Sequence, residues 1–276
     1  MIAQLPRLHA VTDDRVVTGG AVVERAAAMA AAAGSSLAVH LRSRVLGGGA
    51  VLDLARRLRE VTAAHGSWLV VNDRADVARA AGADAVVLGR TGLAMRDLRR
   101  VAPALPAGRS VHDAAEARGA DAEGADFLVA GAVFETPSHP GVPGQGPALV
   151  KAAAAGGRQV VAIGGMAPSN TRQIVDAGAW GVATIRALWD AADPAAAARA
   201  FLAALPATAT VPLVVNGESR DVPEGTTLAG LLEQLGLDPR AVVVEHNRRI
   251  VRRDALGLTR LAGGDAVELV HFVGGG

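Results

Sequence analysis

The sequence predicts an α/β protein in two parts. A (β/α)8 TIM barrel fills residues 1–205, and a small α+β domain of the β-grasp, ubiquitin-like type fills 212–276, with a linker at 206–211. Three observations carry this. Eight short apolar runs alternate with alanine-rich helical patterns in about 200 residues, a spacing that favours a compact closed barrel. The composition then changes to a Pro/Thr stretch at 206–212. After it the rhythm becomes hairpin, helix and further strands.

Taken in order, the strands are expected at 8–12, 37–41, 68–72, 85–88, 109–112, 127–130, 159–163 and 181–185. They are continuously apolar rather than alternating, as strands covered by helices must be. An open doubly wound sheet would give the same alternation, and the number of units in so short a chain decides for the barrel. Helical patterns lie between the strands, such as those at 20–33, 50–64, 73–81, 171–177 and 194–205. In the second part, strands at 213–216 and 219–222 flank Asn216-Gly217, because glycine accepts the positive φ of a tight hairpin turn. Thr226 or Thr227 caps a helix through Leu228, Leu231, Leu232 and Leu235, and Gly236 stands where a helix ends. Strands follow at 242–245, 249–251 and 266–273, the last after a Gly263-Gly264-Asp265 turn.

Composition excludes several classes. Half of the residues are hydrophobic and 20% are charged, which is not the signature of a disordered chain. No apolar run reaches the 18 or so residues of a membrane span, and the densest stretch, 26–33, lies between Arg25 and Gly34. The opening 1–7 lacks a basic segment with an apolar core, so no secretory signal is read and a cytoplasmic location is expected. The absence of cysteine excludes disulfides, thiolate metal sites and a cysteine nucleophile. A net charge of +1 and 3% aromatic residues argue against a nucleic-acid partner. Lys151 is the only lysine and falls in an apparent helix, which leaves Schiff-base chemistry without a placed candidate.

Three features could carry chemistry. The tail Gly274-Gly275-Gly276 leaves directly from an apolar strand, and glycines without side chains let a chain end thread a narrow tunnel and present its carboxylate. Gly164-Gly165 follows the seventh strand and precedes a helix start, where backbone N–H groups hold phosphate in many barrels. Arg42, beside the second strand, has the fork that grips a carboxylate or phosphate bidentately. The bland readings of the first two are a frayed terminus and a tight turn.

Residues 212–276 closely resemble the ThiS sulfur carriers of thiamine biosynthesis. The matching segments are Val214-Val215-Asn216-Gly217-Glu218, Leu231-Leu232-Glu233-Gln234-Leu235-Gly236, Val244-Glu245-His246-Asn247, Gly264-Asp265-Ala266-Val267-Glu268 and the ending from His271 to Gly276. The resemblance implies that Gly276, behind Gly275, is adenylated by an E1-like, ThiF-like enzyme using ATP in trans. The carboxylate then becomes a thiocarboxylate whose sulfur passes to a ThiG-like thiazole synthase.

The first part is similar to the thiamine phosphate synthase/TenI superfamily. The supporting segments are 8–14, His40-Leu41-Arg42, Asn72-Asp73-Arg74-Ala75-Asp76, Gly108-Arg109-Ser110-Val111-His112, Val133-Phe134-Glu135-Thr136 and Ile163-Gly164-Gly165-Met166. Three of these look more like TenI, a thiazole tautomerase, which implies proton transfer on a thiazole ring by a general acid/base. The departures are specific. Where the synthase pattern has a magnesium-binding aspartate the chain has Gly89-Arg90-Thr91-Gly92, and the pyrophosphate-contacting Thr-x-Thr-Lys becomes Thr136-Pro137-Ser138-His139. The histidine of the tautomerase pattern is replaced by Ala132.

The expectation is therefore a thiamine-biosynthetic fusion whose barrel is a thiazole tautomerase, with His139 and His112 as acid/base candidates. Arg42, Asn72, Thr136, Gly164 and Gly165 would hold a thiazole phosphate. Asp73 and Asp76 read as turn and helix-cap residues. No tightly bound cofactor and no metal site are expected, with magnesium needed only for synthase activity. The competing readings are thiamine phosphate synthase and a non-catalytic scaffold that docks the carrier. Barrels of the resembled family commonly pair as homodimers, and no interface is legible in this sequence.

Overall fold

The computed structural model describes residues 5–136, 141, 143–207, 210–257 and 259–271. The chain folds into two compact units, a larger one spanning Pro6–Pro206 and a smaller one that takes up the chain from Ala207 onward.

In the larger unit eight parallel strands close into a barrel in sequence order. They are β1 (Leu8–Val11), β2 (Leu37–Leu41), β3 (Trp68–Asn72), β4 (Ala85–Leu88), β5 (Ala107–Val111), β6 (Phe127–Ala130), β7 (Gln159–Ile163) and β8 (Gly181–Thr184), with β1 closing on β8 through Leu8↔Val182. Side chains alternate along each strand. Leu8, Ala10, Leu37, Val39 and Leu41 join the core beneath the helices, while His9, His40, Val87, Phe127 and Val161 are buried outside that cluster, at the alternate positions that face the barrel axis. Gly108 makes room there: a Cβ on it would stand 2.5 Å from the Phe127 ring.

The helices are α1 (Asp14–Thr18), α2 (Val22–Ala33), α3 (Gly48–Ala64), α4 (Ala75–Ala81), α5 (Met95–Val101), α6 (Ala114–Ala122), α7 (Gly146–Ala154), α8 (Pro168–Asp176), α9 (Arg186–Trp189) and α10 (Pro194–Ala204). Aspartates cap three of them: Asp13 accepts from Val16 N–H, Asp113 from Ala115 and Glu116, and Asp193 from Ala196. Two more aspartates repeat one device at the base of the barrel. Asp84 accepts from Leu69 N–H and pairs with Arg59, and Asp126 accepts from Ala107 N–H and pairs with Arg99. Helices α1 and α9 go beyond the sequence pattern, because five and four residues are too few for a periodic signal. Strand β5 starts two residues ahead of its expected position, since Ala107-Gly108 lacks a β-branched signature.

The second unit has a five-stranded sheet in the order β10-β9-β13-β11-β12. Its elements are β9 (Thr210–Val215), β10 (Glu218–Pro223), α11 (Leu228–Gln234), β11 (Val242–His246), β12 (Arg249–Val251) and β13 (Ala266–His271). β13 pairs parallel with β9 and antiparallel with β11, the mixed centre of a β-grasp sheet. Thr227 is the helix cap and accepts from Gly230 N–H at 3.2 Å. Leu213, Val222, Leu228, Leu231, Leu232, Val244, Val267 and Leu269 form its core. β9 begins at Thr210, inside the stretch expected to be linker, because Thr210 to Pro212 pair with β10.

Candidate active site at the rim of the barrel

The carboxyl ends of β1 to β8 bring together the residues that barrels use for binding and chemistry. At the ends of β1 and β2, Thr12 Oγ1 donates to Arg42 O at 3.0 Å and accepts from Arg42 N–H at 2.8 Å. Asp14 accepts from Arg44 N–H at 2.7 Å, which holds the β2 loop against α1. Burial lowers the pKa of Arg42, as does neighbouring Arg44, while Asp14, Asp73 and Asp13 pull the other way. The guanidinium thus stands half-buried among three carboxylates, charged at neutral pH.

Asn72 ends β3 and Asp73 follows at φ 61, a turn conformation that aspartate tolerates. Asp73 Oδ1 accepts from Gly89 N–H at 2.7 Å. Asp76 lies in the first turn of α4 rather than at its cap and pairs with exposed Arg74 at 2.6 Å. A magnesium ion held beside a substrate phosphate takes one or two protein carboxylates in addition to water and phosphate oxygens. Here Asp73 is already engaged, position 92 is glycine, and a Cβ there would lie 2.6 Å from Asp73 Oδ1. Among the described residues no three His, Cys, Asp or Glu side chains converge. The residues present do not fit a resident magnesium ion.

His112 follows β5 on the same rim, half-exposed, with Nδ1 2.9 Å and its backbone N–H 2.8 Å from Glu116 Oε2. Arg90 pairs with the other oxygen of Glu116. Partial burial raises the Glu116 pKa, but hydrogen bonds from His112 and Arg90 outweigh it and hold the carboxyl below its usual value. Sequence reasoning missed Glu116; its four-residue spacing from His112 across a capped helix start was the available signal.

The Gly164-Gly165 turn is required by close approach. At φ 106 and 62, Cβ atoms on these residues would lie 2.8 Å from Ala132 Cα and 2.6 Å from Phe134 Cβ. The β6 and β7 loops are knit by Val133 N–H to Ile163 O at 2.9 Å and Phe134 N–H to Gly164 O at 3.0 Å. Asn170 caps the start of α8 through Ala167 N–H and returns its amide to Gly165 O. The four-residue α9 follows β8 on the same rim. Thr136 is half-buried at the end of the described β6 loop. His139, Gly275 and Gly276 lie outside the described residues.

One pair of histidines does not sit on the rim. His9 and His40 are buried inside the barrel with Nδ1 and Nε2 2.7 Å apart, and His9 Nε2 lies 2.8 Å from Pro6 O.

Fold and rim together define an α/β barrel enzyme-type scaffold joined in sequence to a β-grasp domain. Residues 8–188 match the family described as thiamine monophosphate synthase, and residues 213–276 match the ThiS family. The chain belongs to the thiamine monophosphate synthase family and ends in a ThiS domain. A thiamine-phosphate synthase of Methanoculleus marisnigri is 40% identical over 197 residues, 70% of this chain and 92% of that protein. The bifunctional ThiM/ThiE protein of Symbiobacterium thermophilum is 44% identical over 168 residues, 59% of this chain and 35% of that protein. A synthase of Gloeobacter violaceus is matched over 49% of its length; the chain thus spans half or less of these last two curated relatives. A solved thiamine phosphate pyrophosphorylase of Pyrococcus furiosus superposes with TM-score 0.63 at 29% identity, over 72% of this chain and 94% of that one.

These relatives overturn the tautomerase expectation. Those of Methanoculleus marisnigri and Gloeobacter violaceus are named thiamine-phosphate synthases, which are transferases, and the tautomerase histidine is replaced by Ala132, which has no proton to move. The TenI-like look of three short segments is outweighed by similarity along the whole barrel.

Proposed function

We propose that the barrel is a thiamine phosphate synthase and that the ThiS domain is a sulfur carrier activated at Gly276. The observation that carries the first reading is Arg42, a half-buried fork anchored by Thr12 on the rim of a barrel whose relatives are named for that reaction. In this reaction the thiazole nitrogen attacks the methylene carbon of an aminopyrimidine diphosphate. The carbon–oxygen bond to the diphosphate breaks and pyrophosphate leaves. Arg42, with Arg44 beside it, stabilises the charge that grows on the departing oxygen. Gly164-Gly165 and the start of α9, with Thr136, hold the thiazole phosphate by backbone N–H groups. Any magnesium would enter with the diphosphate, whose oxygens would supply its ligands.

The carrier reading rests on the β-grasp sheet, whose outer face exposes Val214, Ile250 and Val270 as a surface for the adenylating enzyme and thiazole synthase. The test uses the full chain. Pyrophosphate release and thiamine phosphate formation are measured with both substrates and magnesium, and Arg42→Ala is expected to lower kcat/KM about a hundredfold. Absence of both products removes the synthase reading. Mass spectrometry after incubation with an E1-like enzyme, ATP and a sulfur donor is expected to show one oxygen replaced by sulfur at Gly276; an unchanged terminus removes the carrier reading.

A further inference from the structure

A chain of contacts crosses the rim from the β4 loop to the β6 loop. Arg90, after β4, pairs with one oxygen of Glu116 in the first turn of α6. The other oxygen accepts from the backbone N–H of His112 at 2.8 Å and lies 2.9 Å from its Nδ1. Gln145, just before α7, donates from its side-chain amide to His112 O. The His112 backbone is therefore held at both its N–H and its carbonyl, and the ring at one nitrogen. An ionised carboxylate only accepts, so Nδ1 carries a hydrogen. The proton that this ring gains and loses is then the one on Nε2, which has no partner among the described residues. The same arc runs on to Arg42. Gly89, next to Arg90, donates its N–H to Asp73 at 2.7 Å, and Asp73 is one of the carboxylates acting on the Arg42 guanidinium.

The reaction proposed above has a use for such a proton. In the substrate one diphosphate oxygen is tied up as an ester. When the carbon–oxygen bond breaks, that oxygen becomes basic, and at neutral pH free pyrophosphate holds a proton that the ester did not have. A donor in place at the moment of cleavage lowers the barrier. Arg42 and Arg44 supply charge but not this proton, because a guanidinium does not give one up. His9 and His40 are shut inside the barrel.

We propose that His112 is the proton donor to the departing pyrophosphate, with Glu116 and Arg90 as positioning residues. The electron pair of the carbon–oxygen bond goes to the diphosphate oxygen, and the thiazole nitrogen forms the new bond to carbon. The Nε2 proton passes to the pyrophosphate, and water returns a proton to Nε2. This role rests on the synthase reading of the barrel.

The test varies the leaving group. The full chain, His112→Ala and Glu116→Gln are assayed with the aminopyrimidine diphosphate and with its difluoromethylene analogue, whose leaving group is the weaker base. His112→Ala is expected to lower kcat about a hundredfold with the diphosphate and less than about tenfold with the analogue. Added imidazole restores part of the lost rate, and KM for the thiazole phosphate stays the same. Glu116→Gln falls between the wild type and His112→Ala. An equal loss with both leaving groups marks a merely structural role and overturns the proposal, as does no loss at all. Absence of pyrophosphate from the wild-type chain overturns the synthase reading, and this role with it.

Discussion

Among the described residues two histidine contacts of 2.7 Å occur, one in each unit, and they are built on different chemistry. Inside the barrel, His9 meets another imidazole and a carbonyl. In the β-grasp unit, His246 Nε2 meets Asp265, whose carboxylate also accepts from Asn247 Nδ2 at 2.8 Å and from Ala262 N–H at 2.8 Å. Partial burial raises the Asp265 pKa, but these donors outweigh it and hold the carboxyl below its usual value. No such charge faces His9, so burial outweighs the opposing hydrogen bond to Pro6 and the ring resists protonation. Burial sets how the His9 ring answers to acid, and the surrounding donors set it for Asp265.

Acid gives the largest expected separation between the units. His9 takes its proton at a pH of about 4 in the folded barrel and near 6.5 when unfolded, so between these values the unfolded state holds more protons. The stability conferred by the neutral ring is present above pH 6.5 and is lost as pH falls through 4, a loss of roughly 3 kcal/mol for His9 alone. All three tryptophans, Trp68, Trp180 and Trp189, belong to the barrel, so denaturant titrations followed by their fluorescence report on that unit alone. A midpoint that stays flat across this window would break the comparison. The Asp265 contribution, by contrast, is lost only as pH falls below the ordinary carboxylate range.

Asp265→Ala comes next. It leaves the Ala262 and Asn247 donors and His246 without their acceptor and is expected to cost the β-grasp unit about 2 kcal/mol. Amide exchange in β11 and β13 should accelerate while the tryptophan curve stays in place; a shift of both would show the units to be coupled. The smallest effect is expected from Arg90→Ala. Its pair with Glu116 is mostly exposed, so thermal unfolding should change by less than about 1 kcal/mol.

Much of the fold is legible in the sequence because the barrel strands are continuously apolar. Five of the eight, at Leu37–Leu41, Trp68–Asn72, Ala85–Leu88, Phe127–Ala130 and Gln159–Ile163, fall at the expected residues. The hairpin at Asn216-Gly217 and the Thr227 cap are legible for a related reason: turn and cap chemistry is local. The site is less so. Arg42, Asn72, His112 and Gly164-Gly165 do stand on one rim, but the partners that define them come from other strands and loops. Thr12 behind Arg42 and His9 behind His40 are tertiary pairings with no one-dimensional signature, whereas Glu116 stands four residues from His112 and its spacing alone signals it. Gly164-Gly165 reads as a phosphate turn, and the structure adds a second reason for both glycines, the press of Ala132 and Phe134 against them.

Closure of the barrel has one more consequence. A closed sheet offers no unsatisfied strand flank, so among the described residues the free flanks are those of β10 and β12, both in the smaller unit. β10 carries Glu218, Arg220 and Asp221 on exposed positions, and β12 is three residues long and begins with Arg249. Charge and brevity are the usual guards against strand-by-strand stacking of neighbouring molecules. Strand-to-strand association between copies of this chain is thus restrained by a few charged side chains on its lesser part.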